Sequence, residues 1–573
     1  MFYWYDYFLV FFVLVTSVLI GIYFGCFGTK QSTVKEYLSG GKQMKIFPIA
    51  LSVTVSHFSG ITLIAVPADV YKYGAFYVFT CLSAVLLVIA AMYVYYPVLF
   101  KGDYSSIYEY LEVRFNRKIR LLSSFLYILY ENLLLPVVVY TPALALSVVT
   151  GINVHLIVLL LCGTCVFYTA VGGLRTVIWT DIFQFVVVMV AFLTVCGEGI
   201  NSAGGISSVW NKSVSGKRFD IFDFDPNPTK KDSFWICTVG LAVRFLFYIC
   251  LSQSSVQKYM SLSTLRRCRW SLSLSGLCWC VVNICAVSVG LIIYANYHNC
   301  DPVMDKKITK NDQIVAYYVQ QVAKKIPGIS GLFMAALLSS AISTLSSSLN
   351  SLSGVIYHDF VRKFSKKSFT EKTSVTIMKV IVVIEGIWCT SMIFVIQYLG
   401  EILPLAIAIT GLIDGPSLGL YTLGICFPQV DSTSAFYGTI GGVIFVSAIY
   451  FPSIYYKQKQ VFVFPAKELR VSGCNVTNHT FYMASKYSNS FHENFTSNSY
   501  NVEGLDVIKS TTKLDDFSAN QTFFFFRISY AYYCLLGALV TIILGLIVTY
   551  IRKCKTKSRA DHARPANLPL LVK

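Results

Sequence analysis

Long apolar runs dominate the chain, and shorter segments that hold most of the charged residues separate them. A helix needs about 20 consecutive apolar residues to cross the hydrocarbon core of a bilayer. The runs are too long and continuous for the alternating segments of about ten residues that form a membrane β-barrel. We therefore predict an all-α polytopic membrane protein with thirteen transmembrane helices, at 4–28, 46–73, 75–100, 121–149, 153–172, 174–199, 235–257, 270–297, 328–358, 374–398, 401–427, 433–456 and 527–551.

Lys and Arg concentrate in alternate loops. They occur at 29–45, 101–120, 258–269 and 359–373, in the turn at Arg175, and after residue 551. The positive-inside rule assigns these segments to the cytoplasm, so the N-terminus is predicted to be extracellular and the C-terminus cytoplasmic. The first run, which no Lys or Arg precedes, is then expected to be a retained helix rather than a signal peptide.

Asn-x-Ser/Thr sequons offer an independent test of this orientation. All five lie in the two long loops predicted to be extracellular, 200–234 and 457–526, at Asn211, Asn475, Asn478, Asn494 and Asn520. Because such triplets are glycosylated on exposed extracellular loops, they favour a glycoprotein of the plasma membrane. Cys300 and Cys474 also lie in predicted extracellular segments, and the sequence leaves open whether they form a disulfide.

Composition excludes several other classes of protein. Of the 573 residues, 55% are apolar and only 13% are charged, whereas about 25% are charged in soluble domains. The net charge of +18 comes mostly from the predicted cytoplasmic loops, and no soluble domain remains to present a basic surface to nucleic acid. A membrane-embedded enzyme is a weaker alternative, since no H-E-x-x-H motif occurs and the one match to G-x-S-x-G, Gly415–Gly419, lies within a predicted membrane helix.

Three predicted helices contain polar stretches at membrane depth, where a transport pathway needs them. They are 54–62, 250–257 and 339–350, and the last holds seven hydroxyl side chains in twelve residues. Small residues also serve close helix packing, but packing does not require hydroxyls on all faces of a helix. Hydroxyls such as those of Ser343 and Thr344, with carbonyls of an interrupted helix, are oxygen ligands suited to sodium.

Five motifs resemble those of a known family, in the same order along nearly the whole chain. The two longest are Gly172–Gln184, which reads GGLRTVIWTDIFQ, and Gly331–Asn350; the others are Val66–Gly74, Gln253–Tyr259 and Gly415–Gly424. On these motifs the chain resembles the sodium/solute symporter family, in particular its branch of multivitamin, monocarboxylate and iodide symporters. The resemblance implies sodium-driven alternating access, with sodium as the coupling ion and no other cofactor.

The resemblance also implies a leucine-transporter-type fold with inverted five-helix repeats. The first repeat is 46–199, which holds helices 2–6, and the second is 235–427, which holds helices 7–11. The remaining parts are the first helix and cytoplasmic loop at 1–45, a glycosylated loop at 200–234, helix 12 at 428–456, a large glycosylated loop at 457–526, helix 13 at 527–551 and a basic cytoplasmic tail at 552–573.

Two binding sites follow from the same resemblance. Sodium is expected to bind carbonyls of Val55, Phe58 and Ser340 and hydroxyls of Ser343 and Thr344, with Asp181 on its inner exit route. The substrate cavity is expected to include Ser59, Thr62, Ser252, Gln253, Ser346, Ser347 and Asn350. Relatives have Asn-Gln where this chain has Ser252-Gln253, and the iodide symporter has Gln where Thr62 stands. These departures favour an organic anion over iodide or a galactose-type sugar.

Arg244 is the unusual residue, because it lies inside predicted helix 7. An intramembrane Arg costs about 2.5–3.5 kcal/mol at the centre of a helix by insertion scales. One interpretation is that it attracts the carboxylate of the substrate, which an Arg matches as a bidentate fork. The alternatives are a structural ion pair with Glu131, Glu198 or Glu385, or snorkelling to the membrane surface.

The leading hypothesis is a sodium-coupled symporter that imports a small organic acid anion, such as a monocarboxylate or a vitamin with a carboxylate. Its partners are sodium, that anion and the lipid bilayer. The alternatives are a sodium-bound sensor or channel-like relative without solute transport, and a symporter of iodide, choline or sugar.

Overall fold

The computed structural model describes residues 2–27, 33–102, 104, 106–308, 311–323, 326–365, 369–398, 402–459, 464, 466–474 and 523–562. Within those ranges every regular element is a helix. The predicted glycosylation sites Asn475, Asn478, Asn494 and Asn520 lie outside the described residues. The remaining one, Asn211, lies in a helix and is exposed.

The helical segments cover most of the predicted apolar runs, although several runs are merged or divided. The α-helices are α1 (Trp4–Ile22), α2 (Val34–Ser39), α3 (Ile46–His57), α4 (Gly60–Tyr73), α5 (Thr80–Ala90), α6 (Tyr96–Gly102), α7 (Ile107–Arg114), α8 (Arg117–Thr150), α9 (Val154–Ala203), α10 (Ile206–Ser215), α11 (Leu241–Phe245), α12 (Gln253–Met260), α13 (Leu265–Asn296), α14 (Ile314–Val322), α15 (Ile329–Val355), α16 (Arg362–Phe364), α17 (Glu371–Ile396), α18 (Ile402–Cys426), α19 (Ser432–Gln458) and α20 (Tyr533–His562).

Short π- and 3-10 turns join several of these helices. The π turns are Tyr23–Phe27, Ala91–Tyr95, Ile236–Gly240, Leu246–Leu251 and Ile356–Val361. The 3-10 turns are Gly40–Lys42, Ala75–Phe79, Asn311–Gln313, Phe524–Arg527 and Tyr530–Tyr532. Two of the π turns flank α11, which carries Arg244, so the predicted seventh membrane helix is irregular along most of its length.

Among the described residues, nine helices are long and apolar enough to cross a membrane, or up to eleven if each of two bent pairs is one span. The runs 153–172 and 174–199 form the single helix α9, which Gly173 interrupts with φ 53° and ψ −155°. A positive φ of this kind is accessible to glycine without steric cost. The predicted boundary between the two runs therefore coincides with a break in the backbone.

The two bent pairs contain the polar stretches of the sequence. The axis turns by 61° between Ile46–His57 and Thr62–Tyr73, where Phe58 and Ser59 leave the helical region of φ and ψ. It turns by 50° before α12, where Ser252 is extended and its hydroxyl accepts a hydrogen bond from the Ser255 N–H. Serine favours such a position because its side chain satisfies a free N–H at the start of a helix.

Helix α15 lies at the centre of the bundle, packed against α1, α3, α8 and α9. In its most apolar stretch 94% of residues are buried, compared with 17% in the span that begins with α1. Helices α18, α19 and α20 pack on one another at the side of this core. The helix with the densest run of hydroxyls is thus the one furthest from lipid.

A group of loop contacts closes one end of the bundle. Arg218 is buried and donates hydrogen bonds to the carbonyls of Tyr71, at 2.8 Å, and Glu468, at 3.1 Å. Cys300 and Cys474 form a disulfide, which resolves the pairing that the sequence left open. The hydrogen bonds of Arg218 fasten the segment 466–474 to the end of α4, and the disulfide fastens it to the loop that follows α13.

Candidate functional site

The break between α3 and α4 faces the hydroxyl-rich part of α15. The Thr344 hydroxyl lies 2.8 Å from the carbonyl oxygen of Ser56 and 3.0 Å from that of Ser340. The Ser343 hydroxyl lies 3.1 Å from the Ser56 hydroxyl. Because the break ends the hydrogen-bond ladder of α3 at Phe58, backbone carbonyls and side-chain hydroxyls converge here, as a sodium site requires.

Asp181 provides the negative charge beside these hydroxyls, and its side chain is fully buried. Its Oδ1 accepts a hydrogen bond from Ser343, at 2.6 Å, and its Oδ2 accepts one from Ser52, at 2.5 Å. The Ser56 hydroxyl also donates to Oδ2, at 3.2 Å. Of these residues, the sequence analysis included Asp181 and Ser343 and missed Ser52 and Ser56.

Lys258 is the second residue that sequence reasoning missed. It is buried, and its Nζ lies 2.9 Å from Asp181 Oδ2. The ammonium also donates to the hydroxyls of Ser56, at 2.6 Å, and Ser347, at 2.7 Å, and to the Ser52 carbonyl, at 3.3 Å. Four oxygens therefore surround one cation, next to the hydroxyls expected to bind sodium.

The placement of Lys258 corrects one boundary of the sequence analysis. The charge pattern of the sequence predicts a cytoplasmic loop at 258–269, but Lys258 lies in α12 inside the bundle. The turn at Ser252 folds the polar segment of α12 inward, and the charge of Asp181 compensates the lysine. One signal in the sequence pointed to a role for Lys258 inside the bundle. It belongs to the motif Gln253–Tyr259, which resembles a motif of the family.

A cavity of about 90 Å³ lies on the other side of the α3–α4 break. Its lining includes Ser59, Thr62 and Arg244, three of the predicted substrate residues. Arg244 Nε is buried and has no hydrogen-bond partner in the described part of the chain. The rest of its lining is His57, Ala65, Val66, Asp69, Tyr77, Leu134, Val138, Phe245, Tyr248, Trp279, Thr410 and Tyr530.

None of the expected acids forms an ion pair with Arg244 among the described residues. Glu198 accepts hydrogen bonds from its neighbours Asn201 and Ser202 on α9. The Arg244 guanidinium therefore lines the cavity, and its Nε–H is available to donate a hydrogen bond to a ligand.

A smaller cavity of about 20 Å³ adjoins the first and shares His57, Leu134 and Tyr248 with it. Ser252 and Ser347, also predicted for the substrate, line this second cavity together with Glu131 and Asp414. The two cavities therefore form one polar region that reaches from Arg244 to the hydroxyls of α15.

Three predicted substrate residues are absent from the described lining of both cavities. The amide oxygen of Gln253 accepts a hydrogen bond from the Ile107 N–H at 3.1 Å, so it ties α12 to α7. The Ser346 hydroxyl donates to the Ser343 carbonyl at 3.1 Å. Asn350 is buried in α15, and its amide has no partner among the described residues.

Comparison with known proteins identifies the family. The model of the Sodium:solute symporter family matches residues 37–442. Sodium-coupled monocarboxylate transporter 2 of Danio rerio is 34% identical over 553 residues, which are 95% of this chain and 84% of the relative. Sodium-coupled monocarboxylate transporter 1 of Homo sapiens is 32% identical over 539 residues, which are 94% and 85% of the two chains.

Two further proteins extend the comparison. A putative sodium-dependent multivitamin transporter of Drosophila melanogaster is 30% identical over 555 residues, which are 95% of this chain and 86% of the relative. The solved structure of a Na+-coupled sialic acid symporter matches with a TM-score of 0.73 at 22% identity, over 96% of this chain and 98% of the other. That structural likeness concerns the fold alone. The family match and the extent of these relatives establish that the chain belongs to the sodium:solute symporter family.

Proposed function

We propose that the protein couples the entry of sodium to the import of a small monocarboxylate. The observation that carries the proposal is Arg244, whose Nε is buried beside the cavity without a partner among the described residues. An Arg inside a membrane helix costs about 2.5–3.5 kcal/mol, and such residues face an anion or a water-filled cavity. A carboxylate matches the guanidinium fork, and the hydroxyls of Ser59 and Thr62 on the same cavity supply further hydrogen bonds.

The size of the cavity favours a short carboxylate over a vitamin. Sites for drug-sized ligands measure about 300–1,000 Å³, whereas this cavity has about 90 Å³. The relatives are named for monocarboxylate and for multivitamin transport. Arg244 fits a carboxylate, and the small volume of the cavity favours a monocarboxylate over a vitamin.

Sodium binds, in this proposal, at the break between α3 and α4, with carbonyls of Val55, Phe58 and Ser340 and hydroxyls of Ser343 and Thr344. The contacts of Thr344 with the Ser56 and Ser340 carbonyls support this assignment. Sodium would join α3 to α15, and the substrate would lie against the same break from the other side. Each ligand then favours the state that binds the other, because coupling between two sites is reciprocal.

We further propose thirteen membrane helices with an extracellular N-terminus, a cytoplasmic C-terminus and two inverted five-helix repeats. The breaks of 61° and 50° support the repeats, since they occur in predicted helices 2 and 7, which are five helices apart. The exposure of Asn211 on α10 is consistent with glycosylation of the loop 200–234. In this topology the protein imports its solute across the plasma membrane.

Uptake by intact cells tests the proposal. Cells that express the protein are given radiolabelled lactate, butyrate, pantothenate, biotin, iodide, choline or a hexose, in sodium buffer and in buffer with choline chloride in its place. We expect lactate or butyrate uptake that requires sodium. Equal uptake in both buffers would refute sodium coupling, and sodium current without any solute uptake would instead indicate a sensor or channel-like protein.

A further inference from the structure

Asp69 is an acid of the larger cavity that the proposed sodium and substrate sites leave unused. It lies on α4 and lines the cavity together with Arg244. Its carboxylate is paired with the ammonium of Lys231, a residue of the loop between α10 and the π turn Ile236–Gly240. The Lys231 side chain is 11% exposed and that of Asp69 is 20% exposed. A cation of the loop therefore holds an acid of the cavity, largely withdrawn from solvent.

Further contacts place Lys231 at the rim of this cavity. Its Nζ lies 3.3 Å from the centre of the Tyr73 ring, at the end of α4, and 3.4 Å from Asp232 Oδ2. Its backbone carbonyl accepts a hydrogen bond from the Ser529 hydroxyl at 3.2 Å, and the next residue, Tyr530, lines the cavity. Lys231 is thus fastened both to α4 and to the segment that precedes α20.

Two cations lie in sequence along the path of an entering solute. The proposed topology makes the loop 200–234 extracellular, so a solute from outside reaches Lys231 on the rim before Arg244 on the wall. Asp69 lines the same cavity as Arg244 while its carboxylate contacts Lys231. The position that Asp69 occupies at the ammonium therefore adjoins the space that the proposed substrate enters.

The chemistry of the pair favours an anion at this position. If Asp69 moves away, the nearly buried Lys231 keeps only Asp232, at the longer distance of 3.4 Å. A buried charge that loses its partner is strongly destabilising. A solute carboxylate in the place of Asp69 restores the pairing, whereas a neutral solute does not. An ammonium has three donors, so Lys231 can bind Asp232 and a solute carboxylate together.

We propose that Lys231 is a first, transient binding site for carboxylate solutes at the extracellular rim of the cavity, and that Asp69 occupies it when no solute is bound. The inference deepens the proposed function, on which it rests for the carboxylate substrate and for the direction of transport. Exchange of one carboxylate for the other keeps Lys231 paired while the solute moves on to Arg244.

Lactate uptake by intact cells, measured against lactate concentration in sodium buffer, tests the exchange. We expect Lys231→Gln to raise KM about tenfold, because a charge at the entrance increases the local concentration of its ligand. Asp69→Asn should instead lower KM about threefold, because a site that is free more often binds with a higher apparent affinity. A purely structural ion pair is broken by either change, so a rise of KM in both variants, or no change in Asp69→Asn, would overturn the proposal.

The double variant separates competition at Lys231 from repulsion inside the cavity. Residues that act through one contact are not additive. Asp69→Asn should therefore leave KM unchanged when it is added to Lys231→Gln. An equal fall of KM in both backgrounds would mean that Asp69 repels the substrate directly, against the proposal.

Lys230→Gln is the matched control for Lys231→Gln. Lys230 is the preceding residue of the same loop, and it pairs with Asp223 at 2.6 Å and Asp225 at 2.9 Å, all three being partly exposed. Its replacement should leave KM unchanged, and a rise as large as that in Lys231→Gln would contradict the site.

Lys231→Arg keeps the charge and should keep KM near that of the wild type. Surface biotinylation normalises all rates, and if Lys231→Gln does not reach the surface, the fall of KM in Asp69→Asn decides the outcome. A wild type without carboxylate uptake would refute the proposed function together with this inference. Sodium-dependent carboxylate uptake with any of the contrary KM results would refute the inference alone.

Discussion

The Lys258 ammonium lies 2.9 Å from the Asp181 carboxylate, and both side chains are buried in the centre of the bundle. The pair joins α12, which follows the second break, to α9. It also lies against Ser56 and Ser347, next to the hydroxyls that face the first break. The charge pair and its hydrogen bond to Ser56 on α3 therefore connect the helix before the first break with the helix after the second, and the proposed sodium site lies beside them.

Loss of Lys258 is expected to destabilise the protein strongly. Removing one partner of a buried ion pair costs about 3–5 kcal/mol, because the other charge remains uncompensated. Lys258→Met should therefore unfold at a much lower temperature than the wild type, as measured by fluorescence-detected size exclusion after heating. Asp181→Asn in the same chain should restore part of the loss.

Lys363→Met is the matched control for that experiment. Lys363 pairs with Glu112, but both side chains are partly exposed, and exposed pairs contribute about 0–1 kcal/mol. Equal decreases in unfolding temperature from Lys258→Met and Lys363→Met would contradict the prediction that the buried ion pair contributes more to stability than the exposed one.

Sodium dependence should respond to the hydroxyls of α15. A hydrogen bond to a charged group contributes about 1.5–3 kcal/mol, which corresponds to about 10- to 100-fold in affinity. Ser343→Ala and Thr344→Val should weaken the apparent sodium affinity by that order, measured as carboxylate uptake against sodium concentration. Ser353→Ala is the control, since among the described residues the Ser353 hydroxyl bonds only to the Asn350 carbonyl on the same helix. A shift in the control as large as in Thr344→Val would argue against the site.

Arg244 should govern carboxylate affinity more than sodium affinity. Arg244→Gln removes the guanidinium. We expect KM for lactate to rise about 10- to 100-fold, because charge-assisted hydrogen bonds are stronger than neutral ones. Arg244→Lys should lie between, because it keeps the charge and loses the bidentate geometry. Arg266→Gln, at an exposed position on α13, should leave KM unchanged. An unaltered KM in Arg244→Gln would remove this residue from the site.

The disulfide between Cys300 and Cys474 should be detectable and stabilising. The residues are 174 positions apart, and removal of a native disulfide costs about 2–5 kcal/mol in small secreted domains. Cys300→Ser should lower the unfolding temperature, whereas Cys426→Ser, at an exposed free cysteine, should not. Peptide mapping without reductant should recover the linked pair, and maleimide labelling of both thiols in the intact protein would disprove the bond.

The sequence predicted an all-helical membrane protein because bilayer thickness dictates the length of an apolar helix, while nine to eleven spans, against the thirteen predicted, qualify among the described residues. The breaks in the helices could also be predicted. Gly173 lies between two apolar runs and interrupts α9, and Ser252 lies in a polar stretch inside a run and is extended. Membership of the family, stated from motifs, is confirmed by the family match.

Side-chain partners were harder to predict, and Lys258 is the clearest case. A lysine at the end of an apolar run ordinarily indicates a cytoplasmic boundary, and only the inward turn of α12 brings it to Asp181. Gln253 was assigned to the substrate by its motif, but its rotation directs the amide to α7. Such contacts depend on how each helix is rotated about its axis, which periodicity does not specify in a helix buried on all sides.

The anchoring of Arg218 provides a way to measure the movement of α4 during transport. Its guanidinium holds the end of α4 and the surface segment 466–474 together, while the other end of α4 begins at the break beside the proposed sodium site. A tilt of α4 during transport must therefore be transmitted to a part of the chain that solvent reaches. A fluorophore on that segment is therefore expected to report the movement of a helix whose other end begins at the proposed sodium site.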